Sequence, residues 1–329
     1  MVKKRVLSGI RATGKLHIGN YYGAVKGMIK LQKDDAYETL YMVVDLHTIT
    51  TPYNIEELRK NKREIVIDYL AAGIDPEKSI IFYQSDIKEH TELAFYFSTM
   101  VTISRLQHLP TYKEKVKQYP KENTMALLNY PILMASDILI YKAELVPAGI
   151  DQEPHLEVAR EIARKMNNTY HTDFPEPQRY AADGEYIPSL TGHGKMSKSV
   201  EGSYINLTDN LEEIEKKIAK IPTDSGSGNL KEAPEGVKTL FLLIGLFEGK
   251  EKRSETEERY EKTGLKYDEL KKILAKAIHN ELVPFQKRRN ELVNDEEYIR
   301  KVVFEGAEKA RRIAIQTIDE VKQKMGFSL

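Results

Sequence analysis

The chain reads as an α/β protein built on a doubly wound parallel sheet, followed by an all-helical region. Two observations predict the sheet. Short β-branched runs alternate with longer amphipathic stretches in the first half, and a glycine-bearing turn links the first run to the first stretch. Strands alternating with helices pair in parallel and carry helices on both faces. A third observation predicts the remainder: after residue 199 nearly every segment repeats its apolar residues at helical spacing.

Val6–Ile10, Thr39–Asp45 and Ser79–Gln84 read as buried strands, with Ala143–Pro147 as a short fourth. Between them, Asn20–Gln32, Ile55–Ala72 and Thr91–Gln107 read as helices, the second capped by Asn54. Ligands of such sheets bind at the carboxyl ends of the strands, where the strand order reverses. A domain boundary is placed near Ser199. Beyond it come predicted helices at Leu211–Lys220, Lys238–Leu246, Ser254–Tyr260, Tyr267–Arg289 and Asp295–Met325, and the turn-rich segment Pro222–Gly236. The last helix carries one apolar stripe through Val302, Val303, Ala307, Ala310, Ile313, Ala314 and Ile318, which suits packing back on the first domain.

A length of 329 residues has room for two domains. Fifty Lys and Arg balance fifty Asp and Glu, so net charge neither demands nor forbids a nucleic-acid partner. The absence of cysteine excludes disulfides, thiolate metal sites, iron–sulfur clusters and a thiol nucleophile. No segment approaches the roughly 20 apolar residues of a membrane span. The start, MVKKRVLSGIRATG, lacks the apolar run of a signal peptide. A cytoplasmic protein is expected.

The first strand runs into SGIRATGKLHIGNYYGAV, where Gly9, Gly14 and Gly19 loosen the turn before a helix. Glycines let backbone approach a ligand closely, and helix N-termini attract anions. His17 and Asn20 stand beside that terminus. The turn is neither a Walker A loop nor the G-x-G-x-x-G fingerprint, and alone it is equally an ordinary capped turn. Lys195 and Lys198 lie three residues apart behind Gly192 and Gly194. Such lysines are either a solvated loop or a mobile clamp for polyphosphate.

Tyr130, Met134, Asp137 and Tyr141 share one helical face. An aspartate among apolar residues is costly to bury without a donor, so Asp137 either caps backbone or accepts from a ligand N–H. An indole fits, because its nitrogen only donates. Gly149-Ile150-Asp151-Gln152 follows a strand and opens a helix with Pro154 in its first turn. Asp151 reads as that helix's cap or as a ligand contact. His47 ends a strand at the carboxyl edge, as a core histidine or a ligand contact. His155 stands four residues after Asp151, but without further ligands nearby no protein-held metal is expected.

TGKLHIGN (Thr13–Asn20) and KMSKS (Lys195–Ser199) together resemble the paired signature of class I aminoacyl-tRNA synthetases. Asn20 as the final residue of the first element is similar to the tryptophanyl branch. So are YPILMASDILIY (Tyr130–Tyr141), VPAGIDQEPHLEVARE (Val146–Glu161), VVDLHTIT (Val43–Thr50), YQSD (Tyr83–Asp86), YKEK (Tyr112–Lys115) and EGAEKARRIA (Glu305–Ala314). The resemblance covers nearly the whole chain. It implies a Rossmann-like catalytic domain over 1–199, with a helical insertion at about 87–142 and a helical anticodon-binding domain over 200–329.

The resemblance implies activation of L-tryptophan by ATP to an adenylate, with release of pyrophosphate, then transfer to the 3′ adenosine of tRNA(Trp). It further implies Mg²⁺ held through the ATP phosphates, a homodimer, and no role for DNA or membrane. The carboxylate is itself the nucleophile, so no general base is needed, and catalysis rests on positioning and charge neutralisation. The implied catalytic residues are Lys195, Lys198, His17 and Lys115, with Lys113 a weaker candidate. ATP would meet Arg11, Ala12, Thr13, Gly19, Asn20, Gly149, Ile150, Asp151 and Ile187, together with Met196, Ser197 and Ser199 of the lysine loop. Tryptophan would meet Asp137 through its indole N–H, and Tyr130 and Gln152 through its ammonium. Met134, Ile138, Val146, His47, Leu7 and Gly9 would wall the ring. Lys276–Arg289 and Arg300–Arg312 are candidates for tRNA phosphate contacts, or solvated helix faces. Arg11 and Ala12 depart from the Gln and Pro frequent in the branch, Leu7 from Phe, and Gly192–Gly194 from a stiffer approach to the lysine loop. The tyrosyl branch is the closest alternative, since an aspartate accepts from a phenol as readily as from an indole. A small-molecule nucleotidylyltransferase is more distant.

Overall fold

β1 (Lys4–Arg11) sits between β2 (Tyr37–Val44) and β4 (Leu145–Pro147). β3 (Ser79–Tyr83) lies outside β2, and β5 (Gln178–Tyr180) outside β4. The computed structural model describes residues 3–181, 187–198 and 200–327. Every pairing in the sheet is parallel, with Val6 level with both Thr39 and Leu145. Winding reverses between β1 and β4, so the carboxyl ends of those two strands form the switch point of a Rossmann-like sheet. Val6, Leu7, Leu40, Tyr41, Met42, Val43, Ile81 and Phe82 are all buried, as strands covered on both faces require. The polar triplet of β5 carries no such pattern and was not predicted; it forms because the edge of β4 offers it hydrogen bonds.

The helix expected over Asn20–Gln32 is instead three pieces. α1 (Ile18–Asn20) passes through a π-helical turn at Tyr21–Val25 into α2 (Lys26–Leu31). α3 (Ile55–Ala72) matches its predicted span; the Asn54 side chain accepts from the Glu57 N–H at 3.0 Å, and left-handed Gly73 ends it. The stretch Thr91–Gln107 is broken into α4 (Glu89–Ser98) and α5 (Ile103–Gln107), because Thr102 caps a fresh helix by accepting from the Arg105 N–H. α6 (Pro110–Gln118) and α7 (Met125–Leu139) complete the helical segment between β3 and β4, and α8 (Glu153–Tyr170) follows β4. The later helices are α9 (Leu211–Ala219), α10 (Glu235–Phe247), α11 (Lys250–Lys262), α12 (Tyr267–Leu292) and α13 (Glu296–Met325).

The chain forms two compact units whose limits differ from a single cut near Ser199. One comprises Met1–Gly14, Ala24–Ala182 and Leu292–Leu329; the other comprises Lys15–Gly23 and Asp183–Glu291. Lys15–Gly23 joins the second unit because its backbone is bonded there: the Ile18 N–H donates to the Ile205 carbonyl and the Leu207 N–H to the Leu16 carbonyl. α13 belongs to the first unit because its stripe, including Val302, Val303, Ala310, Ala314 and Ile318, is buried against β3, α3 and α4. One core cluster of the first unit runs from Leu7, Leu40 and Phe82 through Phe97, Ile138 and Leu156 to Ala310 and Ala314, and Val6, Tyr41, Val43, Ile67 and Tyr69 are buried outside it.

In the second unit, Ile214, Ile218, Val237, Leu240, Phe241, Leu274, Ile278 and Leu282 are buried. The turn-rich segment after α9 is tied down by Asp224, which accepts from Tyr260, Tyr267 and the Gly226 N–H. Among the described residues no helix is long and apolar enough to cross a membrane.

The seat of α13 depends on Gly306. A Cβ there would lie 1.8 Å from the Ile81 carbonyl oxygen of β3, and backbone cannot step aside as a side chain can. Gly306→Ala is therefore expected to lower unfolding free energy in urea by about 1–3 kcal/mol, despite alanine's intrinsic helix preference of about 1 kcal/mol. A neutral or stabilising result would show that the contact is looser than described.

Candidate active site

In the second unit the glycine turn and the lysine loop are packed together. His17 caps α1: its Nδ1 accepts from the Asn20 N–H, and the Asn20 side-chain oxygen accepts from the His17 N–H, each at 3.3 Å. This reciprocal box satisfies two donors that the start of a helix leaves free. Gly19 is fully enclosed. A Cβ there would meet the His17 ring at 2.9 Å and the Met196 Cβ at 3.3 Å, so only glycine lets Met196 this close.

The lysine loop hangs from a short hairpin. The Met196 N–H donates to the Ile187 carbonyl at 2.9 Å and the Ser189 N–H to the Gly194 carbonyl at 2.9 Å. Gly192 and Gly194 turn its tip with φ of 81° and 72°, the left-handed region that glycine enters freely. The Ser197 N–H donates to the buried Ser203 hydroxyl. Ile187 is 1 % exposed and braces Met196 through its carbonyl, so its side chain is already covered by protein. Lys195 is exposed and Lys198 half-buried. Burial first, and then the charges of Lys198 and Lys195, hold the His17 pKa down at about 3. His17 is thus a neutral imidazole beside two ammonium groups. Ser199 lies outside the described residues.

The first unit holds the other candidates. Arg11 ends β1, donates to Thr51 and keeps a buried Nε without a partner. Burial lowers its pKa. Burial, followed by the Arg11 charge, lowers that of Lys115 as well, so the two cations face each other. Lys115 also donates to Gln118 at 2.8 Å. Lys113 is exposed, Ala12 is buried and Thr13 exposed. Gly149 is the extended residue before a 3-10 turn at Ile150–Gln152, with Ile150 and Asp151 exposed. Asp151 does not cap α8 with its side chain; it accepts from the Gln152 amide at 2.8 Å.

Asp137 is 1 % exposed and neither caps backbone nor stands open. Its Oδ2 accepts from His47 Nε2 at 2.9 Å, and Gln84 Nε2 donates to both oxygens at 2.8 and 2.9 Å. His90 Nδ1 lies 3.0 Å from Oδ1, poorly angled for a hydrogen bond but close enough for charge attraction. Burial works to raise the Asp137 pKa, but the approach of His47 and His90 outweighs it and the pKa lies below the ordinary carboxylate value. The His47 ring also meets Tyr130 edge-on.

Leu7, Ile138 and Val146 are buried in the core cluster, with Tyr130 and Met134 packed against it. Gly9 is small for a local reason: a Cβ would strike Val44 at 2.5 Å and Met42 at 2.9 Å. Tyr130 and Gln152 come together on His155, which is 2 % exposed. The Tyr130 hydroxyl lies 2.8 Å from His155 Nε2, and Gln152 Oε1 lies 3.2 Å from Nδ1. Burial, then the His47 charge, holds the His155 pKa down at about 4.

Sequence reasoning assigned no role to Gln84, His90 or Thr111. Gln84 had a signal, as a polar residue closing a buried strand at the carboxyl edge. His90 and Thr111 had none, because only tertiary folding brings them to Asp137 and Tyr130. Among the described residues no group of three metal-ligating side chains is assembled.

Two neutral buried histidines make stability acid-sensitive. Their folded pKa values, about 3 and about 4, lie below the ordinary 6.5, so the unfolded chain binds protons the folded chain refuses. Stability is unaffected above about pH 6.5 and falls as pH drops below it, by up to about 1.4 kcal/mol per pH unit for each histidine. The His155 contribution levels off near 4 and that of His17 near 3. Urea midpoints at several pH values should fall along this curve, and His17→Gln should flatten it. Midpoints that stay constant from pH 7 to about 4.5 would contradict both assignments.

A family model described as tRNA synthetases class I (W and Y) matches residues 2–283. The chain is 40% identical over 328 residues to the Tryptophan–tRNA ligase of Porphyromonas gingivalis, covering 98% of this chain and 99% of that one. It is 40% identical over 333 residues to the ligase of that name from Thermotoga maritima, at 98% and 99% coverage. Its fold is similar to that of the tryptophanyl-tRNA synthetase of Campylobacter jejuni complexed with ADP and tryptophan, with a TM-score of 0.84 at 32% identity, covering 98% and 99% of the two chains. For the Mycoplasma pneumoniae tryptophanyl-tRNA synthetase the TM-score is 0.86 at 32% identity, covering 99% of each. A tyrosyl-tRNA synthetase from Archaeoglobus fulgidus, 21% identical with a TM-score of 0.68 over 87% of this chain and 90% of that one, shares the fold alone. By the extent of these matches, the chain belongs to the class I tRNA synthetases of the W and Y family.

Proposed function

We propose that this chain is a tryptophan–tRNA ligase, an ATP-dependent enzyme that forms tryptophanyl-adenylate and passes tryptophan to the 3′ adenosine of its tRNA. The observation that carries the phosphate half of this reading is the packing of the His17–Asn20 turn against the loop bearing Lys195 and Lys198. The relatives at 40% identity, both tryptophan ligases by name, support the choice of tryptophan over tyrosine.

In activation, a carboxylate oxygen of tryptophan attacks the α-phosphorus of ATP. The bond from that phosphorus to the bridging oxygen breaks, and pyrophosphate leaves with the electron pair. The nucleophile is already an anion, so no side chain needs to remove a proton. Charge grows on the departing pyrophosphate, and Lys195 and Lys198 are the groups to neutralise it. A neutral His17 leaves the full field of the two ammonium groups to the phosphates while ordering the turn through Asn20. Arg11, whose charge adds to burial in lowering the Lys115 pKa, and Lys115 suit an anion as shared partner. The nucleoside contacts carried over by resemblance are Arg11–Thr13 and Gly149–Asp151. Mg²⁺ would be held by the ATP phosphates, as Mg²⁺ commonly is, and would supply further charge neutralisation.

On the amino-acid side, an indole N–H would take the place of His47 on Asp137, while Gln84 continues to hold the carboxylate. A carboxylate kept ionised accepts and cannot donate, which matches a donor-only indole. The helices α9 to α12 are the proposed anticodon-reading part, and the active form is proposed to be a homodimer.

Pyrophosphate exchange with ATP, run against all twenty amino acids, tests the assignment. L-tryptophan alone should support it; exchange with tyrosine instead would move the chain to the tyrosyl branch. Lys195→Ala should slow adenylate formation by about 10²–10³-fold and leave tryptophan affinity nearly unchanged. The opposite split would remove this lysine from the phosphate clamp. Asp137→Asn should erode discrimination between tryptophan and tyrosine with ATP affinity retained, and undiminished discrimination would sink the proposed indole contact.

A further inference from the structure

We infer that His155 is a positioning residue for the amino group of the substrate: it turns the oxygens of Tyr130 and Gln152 into bare acceptors that only a donor-only cation satisfies. The inference rests on the tryptophan reading above, in which those two residues meet the ammonium group.

His155 lies in the first turns of α8, and among the described residues it belongs to no group of three metal-ligating side chains. Proton positions follow from the partners one by one. Gln152 Nε2 donates to Asp151 Oδ2 at 2.8 Å, and a carboxylate only accepts. That orients the amide, so Gln152 Oε1 is the atom 3.2 Å from His155 Nδ1. An amide oxygen also only accepts, so Nδ1 carries the proton. The ring is neutral at working pH, with a pKa of about 4, which leaves Nε2 as a bare acceptor.

Nε2 lies 2.8 Å from both the Thr111 and the Tyr130 hydroxyls, which are themselves 2.7 Å apart. One lone pair on Nε2 takes one proton. The second hydroxyl proton then closes the triangle between Tyr130 and Thr111. With Tyr130 donating to Thr111 and Thr111 to His155, the phenol oxygen keeps both lone pairs. With the order reversed it keeps one. In either arrangement the Tyr130 proton points inward, and no proton faces the ligand.

Gln152 Oε1 likewise retains a second lone pair. Two acceptors prepared in this way fit a primary ammonium, while a carboxylate or a bare ether in the same place would meet lone pairs only. The Asp151 carboxylate beside the Gln152 amide adds a favourable charge. His155 need not touch the substrate to do this; it acts through the two oxygens it orients.

The chain contains no tryptophan, so an indole ligand can be titrated by its own fluorescence without protein background. The probes are L-tryptophan, tryptamine (ammonium, no carboxylate) and indole-3-propionate (carboxylate, no ammonium), with the full-length protein. His155→Phe should weaken L-tryptophan and tryptamine by about 10- to 100-fold, the cost of losing hydrogen bonds to a charged group, with indole-3-propionate nearly unchanged. His155→Gln, which returns an acceptor near the Nε2 position, should recover most of the loss. Should His155→Phe not fold, judged by thermal melting, His155→Asn is expected to show the same selective loss. Equal weakening of all three ligands, or none, overturns the positioning role. Wild-type protein that binds none of them sinks the tryptophan reading and this role with it.

Discussion

A carboxylate sealed from water sets the terms for the first unit. Asp137 is 1 % exposed, and an unpaired charge at that depth would cost several kcal/mol. The fold meets this demand from three directions. His47 comes from the segment after β2, Gln84 from the segment after β3, and His90 from α4. Each partner is itself held. Gln84 accepts from the Leu46 and His47 N–H groups, and His90 Nε2 is bonded to the Tyr141 hydroxyl. The ends of two strands, the inserted helices and α7 are therefore fixed relative to one anion. A carboxylate held from three sides is oriented by the fold itself, which is what discrimination by hydrogen bonding requires.

The second unit solves a different problem with little buried charge. Its turn at His17–Asn20 is pinned by backbone bonds to Ile205 and Leu207, the stretch directly following the lysine loop. Turn and loop are thus coupled through main chain. Lys217 holds Asp209, and Asp209 accepts from the Asn206 N–H, which stiffens that same stretch. Left-handed Gly192 and Gly194 shape the tip of the loop ahead of its lysines. Positioned cations suit a reaction whose main difficulty is charge building on a leaving group.

Much of this was legible in the sequence, for reasons that can be named. The span of α3 followed from an Asn cap, a 3.6-residue stripe and a terminal glycine, all local signals. The strands β1 to β3 followed from apolar runs that only a two-sided sheet explains. The two signature segments were visible because their residue types have few other uses together. What could not be read was decided across distance. α4 and α5 separate at a cap that periodicity alone passes over, and β5 exists only as an edge for β4. The compact units depart from a single cut near Ser199 because Lys15–Gly23 is bonded to residues some two hundred positions later, and α13 packs on β3. Asp137 stood out in the sequence as an aspartate in need of donors, yet His90, one of its three partners, belongs to an element that carries no mark of the partnership in sequence.

The two neutral histidines connect these parts in chemical terms. An amino acid brings a cation and ATP brings a polyanion, and a protonated imidazole beside either would serve only one of them. Beside the ammonium it would repel; beside the phosphates it would compete with lysines that are longer and better placed to follow moving charge. Burial holds both rings neutral, and neutrality gives each a fixed donor side and a fixed acceptor side. His17 spends its acceptor on the Asn20 N–H and so shapes the turn. His155 spends its donor on Gln152 and its acceptor on the hydroxyl pair, and so draws the protons of Tyr130 and Thr111 into one network. In a reaction that needs no general base, histidine is more useful as a means of ordering hydrogen bonds than as a carrier of protons. The cost of burying it neutral appears as acid sensitivity, in a pH range where the chemistry gains nothing from its charge.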